Sequence, residues 1–298
     1  MRKLFVCIAL GLTTLTGNAA SPLWMRDVQI SPDGTEIAFC YKGDIYKVSA
    51  GGGTAIQLTT QPSYECTPIW SPDSKQIAFA SDRNGNFDIF VMPATGGTAQ
   101  RLTTHSSSEL PSAFTPDGKY ILFSASIQDP SQSALFPTTA MTELYKVPVN
   151  GGRTEQVLGT PAEAVCYAPS GEFFLYQDRK GFEDEWRKHH TSSITRDIWL
   201  YDTKTGKHTN LTNHAGEDRN PVLSPDGKSV YLLSERKGSF NVYSFPLDNA
   251  QDLKAVTSFK THPVRFLSMS HGGTLCYAYD GEIYTQKDNA TPQKINIK

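Results

Sequence analysis

The chain has 298 residues, 38% hydrophobic and 19% charged, an ordinary globular composition. Its formal net charge of −2 supplies no broad basic field, which argues against nucleic acid as a partner. The length lies at the limit of ~250–300 residues where one hydrophobic core stops growing, so several thin cores are expected.

Residues 1–20 read as a secretory signal peptide. Arg2 and Lys3 form the charged start, Leu4 through Leu15 a short apolar run, and Gly17-Asn18-Ala19-Ala20 the small residues for cleavage. The run is shorter than the ~20 apolar residues of a spanning helix, and no second apolar segment follows. An exported protein, periplasmic or extracellular and without a membrane span, is expected. Cys7 sits at the start of the run, where it would not carry a lipid after cleavage. The other cysteines are Cys40, Cys66, Cys166 and Cys276. None forms a C-x-x-C pair, so neither a metal site nor a cofactor is expected. Cys40 and Cys276 fall in the first and last repeats, where a disulfide clasp is one reading and buried free thiols the other.

From residue 31 onward one turn returns six times. It reads Ser31-Pro32-Asp33-Gly34, Ser71-Pro72-Asp73-Ser74, Thr115-Pro116-Asp117-Gly118, Ala168-Pro169-Ser170-Gly171, Ser224-Pro225-Asp226-Gly227 and, degenerate, Ser270-His271-Gly272-Gly273. Pro presets φ, Asp bonds the local backbone and Gly accepts positive φ. After each turn comes an apolar run such as Ile37-Ala38-Phe39, then a triplet such as Asp44-Ile45-Tyr46, then a third segment such as Gln57-Leu58-Thr59. A short strand also precedes each turn. Four β-branched and aromatic strands per unit, at spacings of 40, 44, 53, 56 and 46 residues, predict an all-β, six-bladed β-propeller of four-stranded antiparallel blades. A stacked solenoid is the rival, but its repeats are shorter and lack the four-strand meander. The blades are expected near 25–60, 66–104, 110–159, 163–213, 219–258 and 264–298, within a domain of residues 21–298. Because the first blade starts with its own inner strand and the last ends with its own outer strand, no strand exchange is expected at closure.

Strand alternation places the Pro-Asp-Gly and Gly-Gly turns on one face. The links between second and third strands, and between blades, lie on the other. That second face is irregular. Blade 3 carries an insertion at 127–142, and blade 4 carries Glu183-Asp184-Glu185-Trp186-Arg187-Lys188-His189-His190-Thr191-Ser192-Ser193. Long loops on a rigid scaffold concentrate binding function, so this face is read as the working surface. Candidate residues for a peptide or protein ligand are Trp186, Arg187, Lys188, His189 and His190, with Glu217, Asp218 and Arg219 from the next blade link. Trp and Arg are interface anchors; a solvated loop is the bland alternative.

Other motifs read as structural. His105, His214 and His262 recur at similar link positions, which loop geometry explains as well as metal binding. Asp82-Arg83-Asn84-Gly85-Asn86-Phe87-Asp88 alternates oxygen ligands as calcium loops do, yet lacks the glycine at position six and the distal Glu; a hairpin turn fits better. No G-x-S-x-G, H-E-x-x-H or P-loop motif is present, so no catalytic residue is assigned.

The repeats resemble the WD-like propeller repeats of TolB-type proteins, the prolyl oligopeptidase group and tricorn-type serine peptidases. A narrower likeness lies in Lys180-Gly181-Phe182 with the insertion that follows, in Arg196-Asp197-Ile198-Trp199, in Gly216-Glu217-Asp218-Arg219-Asn220-Pro221, and in Ser239-Phe240-Asn241-Val242. These strings resemble the first propeller of bacterial tricorn-like peptidases. The resemblance implies a non-catalytic substrate-gating or docking propeller, with peptidase domains downstream in a longer protein. It implies basic residues that hold a peptide carboxylate, for which Arg187 and Lys188 are nearest, although they do not form the expected Arg-Arg pair. The alternative is a standalone TolB-like protein-binding propeller.

Overall fold

The computed structural model describes residues 22–127, 141–181, 184, 186–190, 192–287 and 290–298. The expected signal segment and most of the blade 3 insertion lie outside these residues. Six four-stranded antiparallel sheets follow one another, each built from consecutive strands. They stand in a ring in chain order, so blade 4 faces blade 1 across the axis. The first strands, Arg26–Ile30, Glu65–Trp70, Leu110–Phe114, Ala162–Tyr167, Asp218–Leu223 and Arg265–Met269, surround a central channel.

Side-chain alternation along each strand explains how thin sheets fill the ring. On the second strand of blade 1, Ile37 and Phe39 face blade 6, whereas Ala38 and Cys40 face blade 2. Six such cores lie between neighbouring blades. Cys40 and Cys276 therefore point into different cores, and all four described thiols are free.

The repeated turn is held as its sequence suggests. The Ser31 hydroxyl donates to Asp33 at 2.6 Å and accepts the Glu36 amide at 3.0 Å. Gly34 takes a φ of 76°. The Ser or Thr to Asp bond recurs at 2.6 Å in blades 2, 3 and 5. These bonds hold the carboxyls of Asp33, Asp73, Asp117 and Asp226 below the usual range.

A second repeated device was not legible as a motif. In five first strands one non-glycine residue adopts positive φ: Asp27, Thr67, Ala164, Asn220 and Phe266, between 48° and 59°. The pairing register breaks around each, so each is a β-bulge that kinks the innermost strand. Blade 3 has Leu110-Pro111 there. Proline locks φ near −65°, and its irregularity differs.

Closure proceeds without strand exchange, as expected, and both termini take part. Met25, Ile295 and Ile297 are buried in the core between blades 6 and 1. Residues 296–298 lie parallel to residues 53–55. The Gly53 amide donates to Asn296 at 2.9 Å, and the Lys298 amide donates to Gly53 at 3.0 Å.

Candidate functional site

The irregular face is built around a strap from blade 4. Asp184 starts it: its carboxylate accepts the Trp186 amide at 2.8 Å. Arg187 then turns inward. Its guanidinium donates to Glu217 at 2.6 Å, to Glu235, and to the His190 carbonyl at 2.6 Å. It also lies over the Phe240 ring at 5.2 Å. Glu217 meets Arg196 at 2.9 Å and Arg219 at 3.7 Å, and the Glu217 amide donates to Glu235 at 2.8 Å. Burial acts to raise the Glu217 carboxyl, but Arg219, Arg196 and Arg187 outweigh it and hold it below its ordinary value. Burial likewise opposes the charge on Arg187, and Glu235 and Glu217 outweigh it. A buried charge is tolerated only when paired and hydrogen-bonded in this way.

Beyond this anchor the strap passes blades 5 and 6 and reaches blade 1. The Trp186 ring lies between the guanidinium groups of Arg26, at 4.5 Å, and Arg265, at 5.0 Å. Phe266 meets it edge-on at 6.0 Å. Arg265 also donates to the carbonyls of Trp186 and Arg187 at 3.0 and 3.2 Å. Lys188 lies 3.1 Å from Nδ1 of His262, whose Nε2 is 3.3 Å from Asp280. Because the ammonium can only donate, Nδ1 must accept. Arg26 and Arg265 stand on channel-lining strands, so the strap lies across the channel mouth on this face. Trp186 is 47% exposed despite these contacts.

The structure thus brings most of the sequence candidates together but assigns them different surroundings. Trp186, Lys188, His189 and His190 are exposed. Arg187, Glu217, Asp218 and Arg219 are buried. Arg187 presents its charge to two carboxylates rather than to solvent, since an exposed guanidinium would leave Glu217 and Glu235 uncompensated. Asp218 pairs with Arg236 at 2.9 Å and His214 at 3.1 Å, which places the His214 link on the same rim as the strap. Sequence reasoning missed Arg26 and Arg265. Their signal was available in the repeat: both occupy the residue just before the bulge, pairing with Cys40 and Ala278. Arg219 holds that place in blade 5.

The other motifs are accounted for by protein contacts. Asp82 accepts the Tyr64 amide at 2.7 Å, and Asn86 donates to the carbonyls of His105 and Ser107, each at 2.9 Å. Asp88 meets Arg101 at 2.7 Å. Among the described residues no three His, Cys, Asp or Glu side chains converge as a metal site.

The opposite face holds a feature the sequence reading did not anticipate. The channel opens there as a cavity of about 430 Å³. Its rim carries Pro32, Pro72, Pro116, Pro169 and Pro225 from five repeated turns, with His271 in the sixth. Trp70 in its wall donates its indole N–H to the Gln29 carbonyl at 3.0 Å. Among the described residues no helix is long and apolar enough to cross a membrane.

Comparison with known proteins gives the architecture its relatives. The crystal structure of the tricorn protease superposes with a TM-score of 0.75 at 21% identity, covering 92% of this chain and 26% of that one. TolB from Acinetobacter baumannii superposes with a TM-score of 0.64 at 20% identity, covering 88% of this chain and 60% of that one. An uncharacterized protein of Agrobacterium fabrum is 31% identical over 146 residues, 47% of this chain and 44% of that protein. The chain spans less than half the length of the curated relatives it matches. Residues 22–292 match the family described as the tricorn protease N-terminal beta propeller domain. With the six sheets and that match over most of its length, the chain belongs to the tricorn N-terminal β-propeller family.

Proposed function

We propose that this chain is a non-catalytic, substrate-gating or docking propeller of an exported tricorn-like serine peptidase. In this reading it binds peptides or partner domains on the irregular face, and peptidase domains lie elsewhere in a longer protein. The observation that carries the reading is the Trp186 ring held between Arg26 and Arg265. A strap anchored through Arg187 in blade 5 and resting on blades 6 and 1 covers one end of the channel with a half-exposed tryptophan. Trp186 and Lys188 are then the side chains a peptide meets first, while Arg187, Glu217 and Arg219 hold the strap in register.

The test is fluorescence-anisotropy titration of labelled unstructured peptides against the chain and against its Trp186→Ala and Lys188→Ala variants. Saturable binding that changes in the variants supports the reading. No binding by any peptide, with the variants indistinguishable from the parent, defeats it. The standalone TolB-like binding propeller is the second reading, favoured by the proline-rimmed cavity on the opposite face. Binding blocked by substitutions at His271 and Trp70, and untouched at Trp186, would select it.

A further inference from the structure

Blades 2 and 5 share an arrangement that blade 4 breaks. In blade 2, Glu65 on the first strand faces Ser81 on the second. Arg83 folds back from the hairpin, bonding Ser81 and Glu65, both at 2.9 Å. Its guanidinium then lies 4.4 Å from the Phe90 ring and 5.7 Å from Phe79. Blade 5 repeats this with Asp218 facing Ser234 and with Arg236 bonded to both, 5.8 Å from the Tyr243 ring. A guanidinium thus sits on the aromatic pair at the irregular end of each blade. In blade 3 the matching residue is Ile127, which packs there as an apolar side chain.

In blade 4 the acid has moved across the strand pair. Ala162 stands where Glu65 and Asp218 stand, and the residue facing it is Asp178. The hairpin cation is Lys180, and it follows the displaced charge, 2.6 Å from Asp197 and 3.6 Å from Asp178. Arg179 turns away to Glu163 at 3.0 Å. The aromatic pair Tyr176 and Trp199 remains, with no lysine or arginine over either ring among the described residues. A cavity of about 200 Å³ occupies the space, bounded by Tyr176, Trp199, Asp178, His208 and the Thr160-Pro161 link. The Tyr176 hydroxyl lies 2.8 Å from Nδ1 of His208, fixing that wall.

We infer that this cavity is a seat for a guanidinium group that the chain does not supply itself. The rings offer the planar stacking surface that guanidinium favours over ammonium, and Asp178 supplies an acidic edge. Arg179 and Lys180 are already paired with Glu163 and Asp197, so stacking rather than net charge is the main attraction. The donor is either a small guanidino compound or the arginine side chain of a peptide or partner; the second case builds on the docking function proposed above.

The test follows the Trp199 indole N–H resonance, one of four tryptophan signals, while the full chain is titrated with methylguanidinium at sub-denaturing concentrations. Methylammonium and sodium chloride at equal ionic strength are the controls. A saturable shift at Trp199 that leaves Trp186 in place is expected, with methylguanidinium at least about fivefold tighter than methylammonium. No shift, or the same shift with sodium chloride, overturns the proposal. The variant Ala162→Glu, Asp178→Ser, Lys180→Arg copies blades 2 and 5 and should fill the seat from within, weakening binding by roughly tenfold or more. Unchanged binding in that variant also overturns it. Should the triple variant fail to fold, Asp178→Asn, which keeps the acceptor for the Asp197 amide, must itself weaken binding or the proposal falls. A peptide with one central arginine is compared with its citrulline counterpart. A shift from the arginine peptide alone identifies a side-chain donor, whereas a shift confined to methylguanidinium identifies a small molecule and counts against docking without touching the seat.

Discussion

Arg187 and Glu217 are 30 residues apart in the chain and meet at 2.6 Å with their side chains 1% and 0% exposed. The pair joins the blade 4 strap to the first strand of blade 5, and Glu235 completes it from the blade 5 hairpin. Removing one partner strands a buried charge. Arg187→Ala should lower unfolding free energy by about 3–5 kcal/mol, read by urea denaturation. Arg187→Lys should recover only part of this, because an ammonium cannot bridge two carboxylates as the planar fork does. A loss under ~1 kcal/mol for Arg187→Ala would show that the strap is not anchored here.

Glu217 also sets an acid limit. Its carboxyl is held below the ordinary value of 4.5. A depressed acid contributes stability that is fully present above its unfolded value and is lost as pH falls through the folded one. Thermal melts should therefore drop steeply below about pH 4.5, and Glu217→Gln should flatten that limb while lowering stability at neutral pH.

Glu109 has the opposite sign. It occupies the strand position of Glu65, as its amide bond to the Phe87 carbonyl shows, but Ile127 replaces the arginine that blade 2 provides. Burial pushes its carboxyl up to about 7; a bond from Thr103 and the charge of Arg101 oppose the rise, and the nearby Asp88 adds to it. The folded state then keeps a proton that the unfolded chain releases near 4.5, so stability declines as pH rises from about 4.5 to 7 and stays lower above. Glu109→Gln should raise stability at pH 8 by on the order of 1–3 kcal/mol and change little at pH 4, by denaturant titration at both values.

The strap's outer contact is testable without unfolding the ring. Exposed cation–π contacts contribute ~0.5–1 kcal/mol each, so Arg26→Ala with Arg265→Ala should leave the global melting temperature within a few degrees. Trypsin cleavage after Lys188 should nevertheless accelerate several-fold as the strap lifts. Equal cleavage rates would mean that Trp186 is not held by the two guanidinium groups.

Closure depends on a close approach. Gly52 has a φ of 89°, and a Cβ there would stand 2.8 Å from the Asn296 carbonyl oxygen. Gly52→Ala should cost about 1–3 kcal/mol, and Ile297→Ala, which empties a site in the closing core, about 2–5 kcal/mol. Differential scanning calorimetry of both variants checks this. A wild-type melt for each would move ring closure elsewhere.

Six blades were determined by the sequence alone because their causes are local. The Ser-Pro-Asp-Gly turn is closed by its own side chains, and alternation such as Ile37-Ala38-Phe39 sends neighbouring residues to opposite cores whatever the rest of the chain does. The irregular face was legible for the same reason, since strand direction fixes where each loop emerges. The individual duties of the candidate residues were not. Arg187 and Lys188 are adjacent and equally basic in the sequence, yet one is buried between two carboxylates from blade 5 and the other faces solvent beside His262 of the next link. Trp186 finds Arg26 only because the ring closes and sets blade 1 beside blade 6. Those pairings depend on through-space distances across a closed ring, which no periodicity along the chain encodes, and the tertiary structure alone decided them.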